Sequence, residues 1–348
     1  MTEPTQPATP GPSPDEGTSG TREPATDLIP SPVGTPPSRP GARTFTIEGR
    51  AAPGLFLVGW IGTLIGIGLI VVAALAAPGS TKTILVIVGL AALGPSLVAA
   101  AGSQALQRRA AGVAYAGPSP FLVFAAVIPL TSLIAILVFR PLVALGLSTD
   151  APLATLLGVL IQVVVYVGLL RLLVVGTGAL SWSDMGFARP PDLIPRDAAS
   201  GVVLAFPVLA VTLVLAVAFV GLLGTRPQPI LPPSTSGTDL VLNLVTAAAI
   251  APIGEETFFR GFATAAWARV YGPTRAIVQG ALFFAFVHVL TIGAADFSEG
   301  TRQALIAFVV RVPVALALGW LFLRRRSIYA PMGLHATFNA IAVLLSQP

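Results

Sequence analysis

The sequence predicts an all-α fold, a polytopic membrane bundle of about eight or nine transmembrane helices behind a disordered N-terminal tail. Three observations predict it. The 348-residue chain is 54% hydrophobic and only 10% charged, with mean hydropathy +0.85. Residues 1–45 are rich in Pro, Thr, Ser and Gly and show no apolar period. From Leu55 onward, apolar runs of about 20 residues follow one another, the length a bilayer core requires. Soluble domains carry roughly 25% charged residues, and a chain this apolar could not cover its own surface in water.

The tail comes first. Residues 1–45 cannot bury enough surface to offset their chain entropy, and they lack the basic stretch and apolar core of a signal peptide. The N-terminal transmembrane helices occupy residues 50–225, with spans near 55–77, 84–101, 121–139, 152–175 and 200–223. Pro78-Gly79, Gly117-Pro118, Pro190-Pro191 and Pro232-Pro233 mark the turns. A last block, residues 239–346, holds three or four further helices. Arg39, Arg43, Arg50, Arg108, Arg109, Arg189, Arg196 and Arg324 to Arg326 fall on one side if the N-terminus is cytoplasmic, as the positive-inside rule expects of a multi-pass cell-membrane protein.

Charge and composition exclude several functions. The net charge is +5, but Lys82 is the only lysine and no basic face is clustered, so nucleic acid is not expected as a partner. Membrane lipid and a membrane-associated peptide or protein are. The absence of cysteine excludes disulfides, thiolate metal sites and a cysteine nucleophile. His288 and His335 are the two histidines, so any histidine chemistry uses them. Abundant Arg, Ala, Gly and Pro suggest a bacterial source.

An ionisable residue inside a span is costly and marks function by default. The last block concentrates them: Glu255-Glu256-Thr-Phe-Phe-Arg260, Phe284-Ala-Phe-Val-His288 and His335-Ala-Thr-Phe-Asn339. Glu256 and Arg260 stand four apart on one helical face, acid first, the favourable order for a supporting ion pair. Glu255 lies about 100° round the helix and remains the free carboxylate. Tyr271-Gly272-Pro273 reads as a turn, which brings Glu255 and His288 to one level of a helical hairpin, roughly 25 Å from it. Arg311 sits mid-span and needs a partner or water.

A carboxylate, two imidazoles and an amide suit water activation. Glu255 would be the general base and His288 its assistant, with His335 and Asn339 donating to an oxyanion. The same Glu255, His288 and His335 could instead hold zinc, although two histidines four apart around a glutamate are absent. A proton relay in a transporter would use similar groups, but its paired halves are not visible. A non-catalytic immunity or scaffold protein that keeps these groups for architecture also stands open.

In this order and in apolar spans, the three motifs resemble those of the CPBP family, the CAAX-protease and bacteriocin-processing group also called Abi. The resemblance covers residues 239–346; Trp182-Ser-Asp-Met-Gly-Phe187 also looks like a short element of bacterial members. It implies an intramembrane endopeptidase near the cytoplasmic leaflet, with Glu255, His288, His335 and Asn339 catalytic and Glu256 and Arg260 in support. It leaves open a glutamate-activated water or a metal. Eukaryotic members trim prenylated CaaX proteins; the substrate does not carry over.

Overall fold

The computed structural model describes residues 50–226, 231–290, 292–293 and 296–347. The chain divides into Met1–Glu48 and Gly49–Pro348. All described residues belong to the second unit, and the tail expected over residues 1–45 lies outside them.

Among the described residues the long elements are all helical. They are α1 (Pro53–Leu75), α2 (Ser80–Ala110), α3 (Pro120–Ala144), α4 (Pro152–Val175), α5 (Ile194–Leu223), α6 (Gly237–Tyr271), α7 (Pro273–Val289), α8 (Phe297–Arg325) and α9 (Tyr329–Leu345). Of these, α1 to α6 and α8 are long and apolar enough to cross a bilayer; α7 and α9 have 17 residues each. The protein is a multi-pass membrane bundle. Leu64, Val203, Val214, Val217 and Leu222 stay exposed on its surface, as side chains turned to lipid would.

Proline opens α1, α3, α4 and α7, where its missing N–H leaves no orphan and its fixed φ already suits the helix. Ser236 and Asp296 cap α6 and α8 by accepting from Asp239 N–H and Glu299 N–H. Gly272, at φ 81, turns α6 into α7 at the expected position.

One feature of α6 was not predicted. Two stretches, Thr246–Ile250 and Thr257–Thr264, are π-helical and flank the α-helical Ala251–Glu256. Such wide turns are rare and recur at functional sites. Here they bracket the paired glutamates.

Lipid tails are as apolar as leucine, so close packing rather than hydrophobic transfer holds the helices together. Aromatic rings fill the space between α3, α4, α6 and α7. Tyr166 stacks on Phe258 at 4.6 Å, and Phe283 meets Phe121, Phe124 and Phe259 edge-on at 4.7, 5.3 and 5.4 Å. Phe258, Phe259 and Phe284 are buried, whereas Phe286 faces outward. Glycine does the equivalent work between α5 and α9. A Cβ at Gly201 would strike the backbone of Ala330 and Leu334, and one at Gly333 would strike Ala198. This near-contact of two backbones fixes where α9 carries His335.

The segment between α4 and α5 clamps one end of the bundle. Ile328 N–H donates to Gly186 O at 3.1 Å, and Tyr329 Oη donates to Phe187 O at 3.3 Å. Asp184 pairs with Arg269 at 2.7 Å. Burial would raise the Asp184 carboxyl, but hydrogen bonds from Ser181 N–H and Oγ, with the Arg269 charge, outweigh it and hold it below the ordinary carboxylate range.

Two stability predictions follow from this packing. Gly333→Ala should cost about 1–3 kcal/mol, read as a lower unfolding midpoint in detergent, because backbone must move to admit the methyl. Gly221→Ala, in open space on α5, should leave the midpoint unchanged or raised. Equal midpoints for the two would show that the α5–α9 approach is not tight. Asp184→Asn should lower the midpoint at pH 7. The depressed carboxyl stabilises the fold above its unfolded pKa of about 4, so the gap to wild type should close as pH falls through the acid range. A pH-independent gap would discard the ion-pair account.

Candidate active site

The site forms where α6, α7 and α9 meet. Glu255 and Glu256 end the α-helical stretch between the two π turns of α6. His288 is the penultimate residue of α7, and His335 lies in the second turn of α9. The hairpin brings Glu255 and His288 together as its turn predicts.

Two nitrogens address one oxygen. His335 Nε2 is 3.8 Å and His288 Nε2 3.9 Å from Glu255 Oε2. Both gaps are too long for direct hydrogen bonds and suit a bridging water; at about 2.8 Å from each neighbour, it would subtend an angle near 90°. The Glu255 and His288 side chains are 19% and 23% exposed, enough to admit water, whereas His335 is nearly sealed at 6%.

Each imidazole is oriented from behind. His288 Nδ1 donates to Phe284 O at 2.7 Å, so the FxxxH spacing is the bond that turns the ring. His335 Nδ1 donates to Glu256 Oε1, also at 2.7 Å. A carbonyl or carboxylate oxygen only accepts, so both rings carry hydrogen on Nδ1 and turn Nε2 toward Glu255.

Glu256 therefore does more than the sequence shows. Its Oε1 accepts from Arg260 at 3.0 Å, as the spacing predicts, and from His335 as well. Glu256 is fully buried, and its Oε2 has no hydrogen-bond partner. Arg260, equally buried, lies over the Phe284 ring at 4.3 Å and donates at 3.4 Å to Ala315 O of α8. The pair thus fixes the orientation of His335 as well as the helices.

Asn339 takes a different place from the other groups. Its Nδ2 donates to Ala247 O at 2.9 Å, satisfying a carbonyl in the first π turn. That uses one of its two amide hydrogens. Two further residues border the site. Tyr166 of α4 lies close enough to Glu255 to feel its charge. A polar pair four apart, Gln162 and Tyr166, in an otherwise apolar span was the signal for it. Arg311 of α8 acts through space on both Glu255 and His288.

A zinc ion would require a tighter donor set. Ligands about 2.05 Å from a tetrahedral ion stand roughly 3.3 Å apart. The distances here are about half an ångström longer, and no trio of His, Asp or Glu among the described residues is spaced to hold an ion. The set as it stands does not fit a zinc centre.

Fold and site together define a polytopic membrane protein with a water-accessible Glu–His cluster at the junction of its last helices. Residues 237–341 match the family of type II CAAX prenyl endopeptidase Rce1-like proteins, which is the CPBP family. The match spans α6 to most of α9; α1 to α5 lie outside it. No curated protein and no solved structure matches the chain.

Removing the charge of Glu256 should expose its structural share. Glu256→Gln strands a buried guanidinium and should destabilise the protein by about 3–5 kcal/mol. Thermal unfolding in detergent measures it. A midpoint equal to wild type would show that the Glu256–Arg260–His335 triad is not what holds the site.

Proposed function

We propose that the protein is an intramembrane endopeptidase that hydrolyses a peptide bond in a membrane-associated substrate with a glutamate-activated water. The observation that carries the proposal is the approach of His288 Nε2 and His335 Nε2 to the same oxygen of Glu255. The CAAX-endopeptidase family match supports the reaction class. The arginine bias of the loops supports a site facing the cytoplasmic leaflet of the cell membrane.

In this mechanism a water bridges Glu255 Oε2 and the two imidazoles. Glu255 takes one proton as the water oxygen bonds to the scissile carbonyl carbon. His288 holds the water for attack. Negative charge gathers on the former carbonyl oxygen. The second amide hydrogen of Asn339 is a donor to it, and His335, placed between Glu256 and Glu255, lines the same oxyanion site. Glu255 then passes its proton to the departing amine nitrogen as the C–N bond breaks. Glu256 and Arg260 keep His335 turned throughout.

The test is cleavage of a membrane-anchored peptide library by detergent-purified protein, read by mass spectrometry. Glu255→Gln should lose about 100- to 10,000-fold in rate with an unchanged unfolding midpoint. Products that persist unchanged in that variant would overturn the mechanism. Wild-type activity should survive a chelator; loss there would move a metal into the role given to the bridging water. A folded wild type that cleaves nothing would favour the non-catalytic membrane scaffold.

A further inference from the structure

One cation beside the site meets an acid only through space: Glu255 feels its charge, and no carboxylate among the described residues bonds to it. Arg311 lies 14 residues from Phe297 and 14 from Arg325, the two ends of α8. That places its Cα about 21 Å from either end of the helix, in the middle of its apolar run. Its one hydrogen bond runs from Nη1 to Ala307 O of its own helix, at 2.8 Å. Among the described residues it makes no ion pair. The acids at the start of α8 are engaged elsewhere: Glu299 pairs with Arg302 at 2.8 Å and accepts from Thr225, and Asp296 caps the helix.

An arginine at this depth is costly unless something pairs with it. Its remaining donors are not sealed, since the guanidinium nitrogens are absent from the buried, unpartnered polar atoms. Arg311 also shares a level with the reactive groups. Counting from the same end of the bundle, Glu255 is 16 residues from Tyr271, His288 15 from Pro273 and Arg311 14 from Arg325. On three neighbouring helices these are about 24, 22 and 21 Å.

We propose that Arg311 is a substrate-binding residue that takes a carboxylate of the bound peptide close to the scissile bond. The inference rests on the endopeptidase reading and adds a requirement to it: the substrate brings an anion to the level of Glu255 and His288. A guanidinium fork matches a carboxylate with two parallel hydrogen bonds, which orients a chain as well as holding it. The carboxylate has two sources, the chain terminus or an acidic side chain.

The experiment separates binding from cleavage. Short N-palmitoylated peptides are made in three forms: free terminal acid, terminal amide, and terminal amide with one internal Asp. Their binding to the full-length Glu255→Gln protein is read by fluorescence polarisation, with and without Arg311→Met. A carboxylate form should bind tighter than the amide, on the order of 10- to 100-fold. Arg311→Met should bring that ratio to about one, and Arg311→Lys should keep part of it. The form that carries the preference names the source. Undiminished preference in Arg311→Met, an equal loss for all three forms, or no preference at all overturns the proposal. Failure of the endopeptidase reading shows separately, as cleavage that survives Glu255→Gln.

Discussion

A single buried carboxylate oxygen organises the last four helices. Glu256 Oε1 of α6 accepts from Arg260 one turn on and from His335 on α9. Arg260 passes the constraint to α7 through the Phe284 ring and to α8 through Ala315 O. In a medium without water, such a triad cannot be exchanged for solvent contacts, so each partner dictates where the others stand. Phe284 belongs to it twice over. Its ring receives the cation, and its carbonyl orients His288. The arrangement that holds the helices together is thus also the one that aims both imidazoles at Glu255.

The site borrows from outside the segment that matches the family. Tyr166 of α4 stacks on Phe258 and lies within electrostatic reach of Glu255. Gly201 of α5 lets α9 approach closely enough for His335 to enter. The segment between α4 and α5 grips the turn between α8 and α9 through Gly186 and Phe187. The N-terminal helices therefore form the wall against which the cluster is shaped.

Much of this was legible in the sequence because helical spacing is a local property. The Glu256–Arg260 pair, the packing of the Phe284 ring beside His288 and the turn at Gly272 all follow from residues four apart or from one glycine before a proline. The contacts that were not legible join residues distant in sequence. His335 meets Glu256 across 79 positions and Asn339 meets Ala247 across 92, and no periodicity encodes which faces of two helices will touch. Reading Glu256 as a partner of Arg260 alone was therefore incomplete. The π turns escaped for another reason. They add a residue without changing composition, so an apolar run with one looks like an apolar run without.

Those wide turns change how α6 keeps angular phase along its length. An α-helix advances about 100° per residue, so one added position rotates everything beyond it by more than a quarter turn. A π turn absorbs one such position by bulging, and α6 has one on either side of its glutamates. The short stretch that carries Glu255 is thereby decoupled in phase from both ends of its own helix. The outer parts can present one face to lipid and to α4 while the middle turns another toward the histidines. Loss of a single residue from either bulge could be taken up by reversion to ordinary α geometry. Comparison of related chains should then show one-residue gaps clustering beside the glutamate pair and not within it.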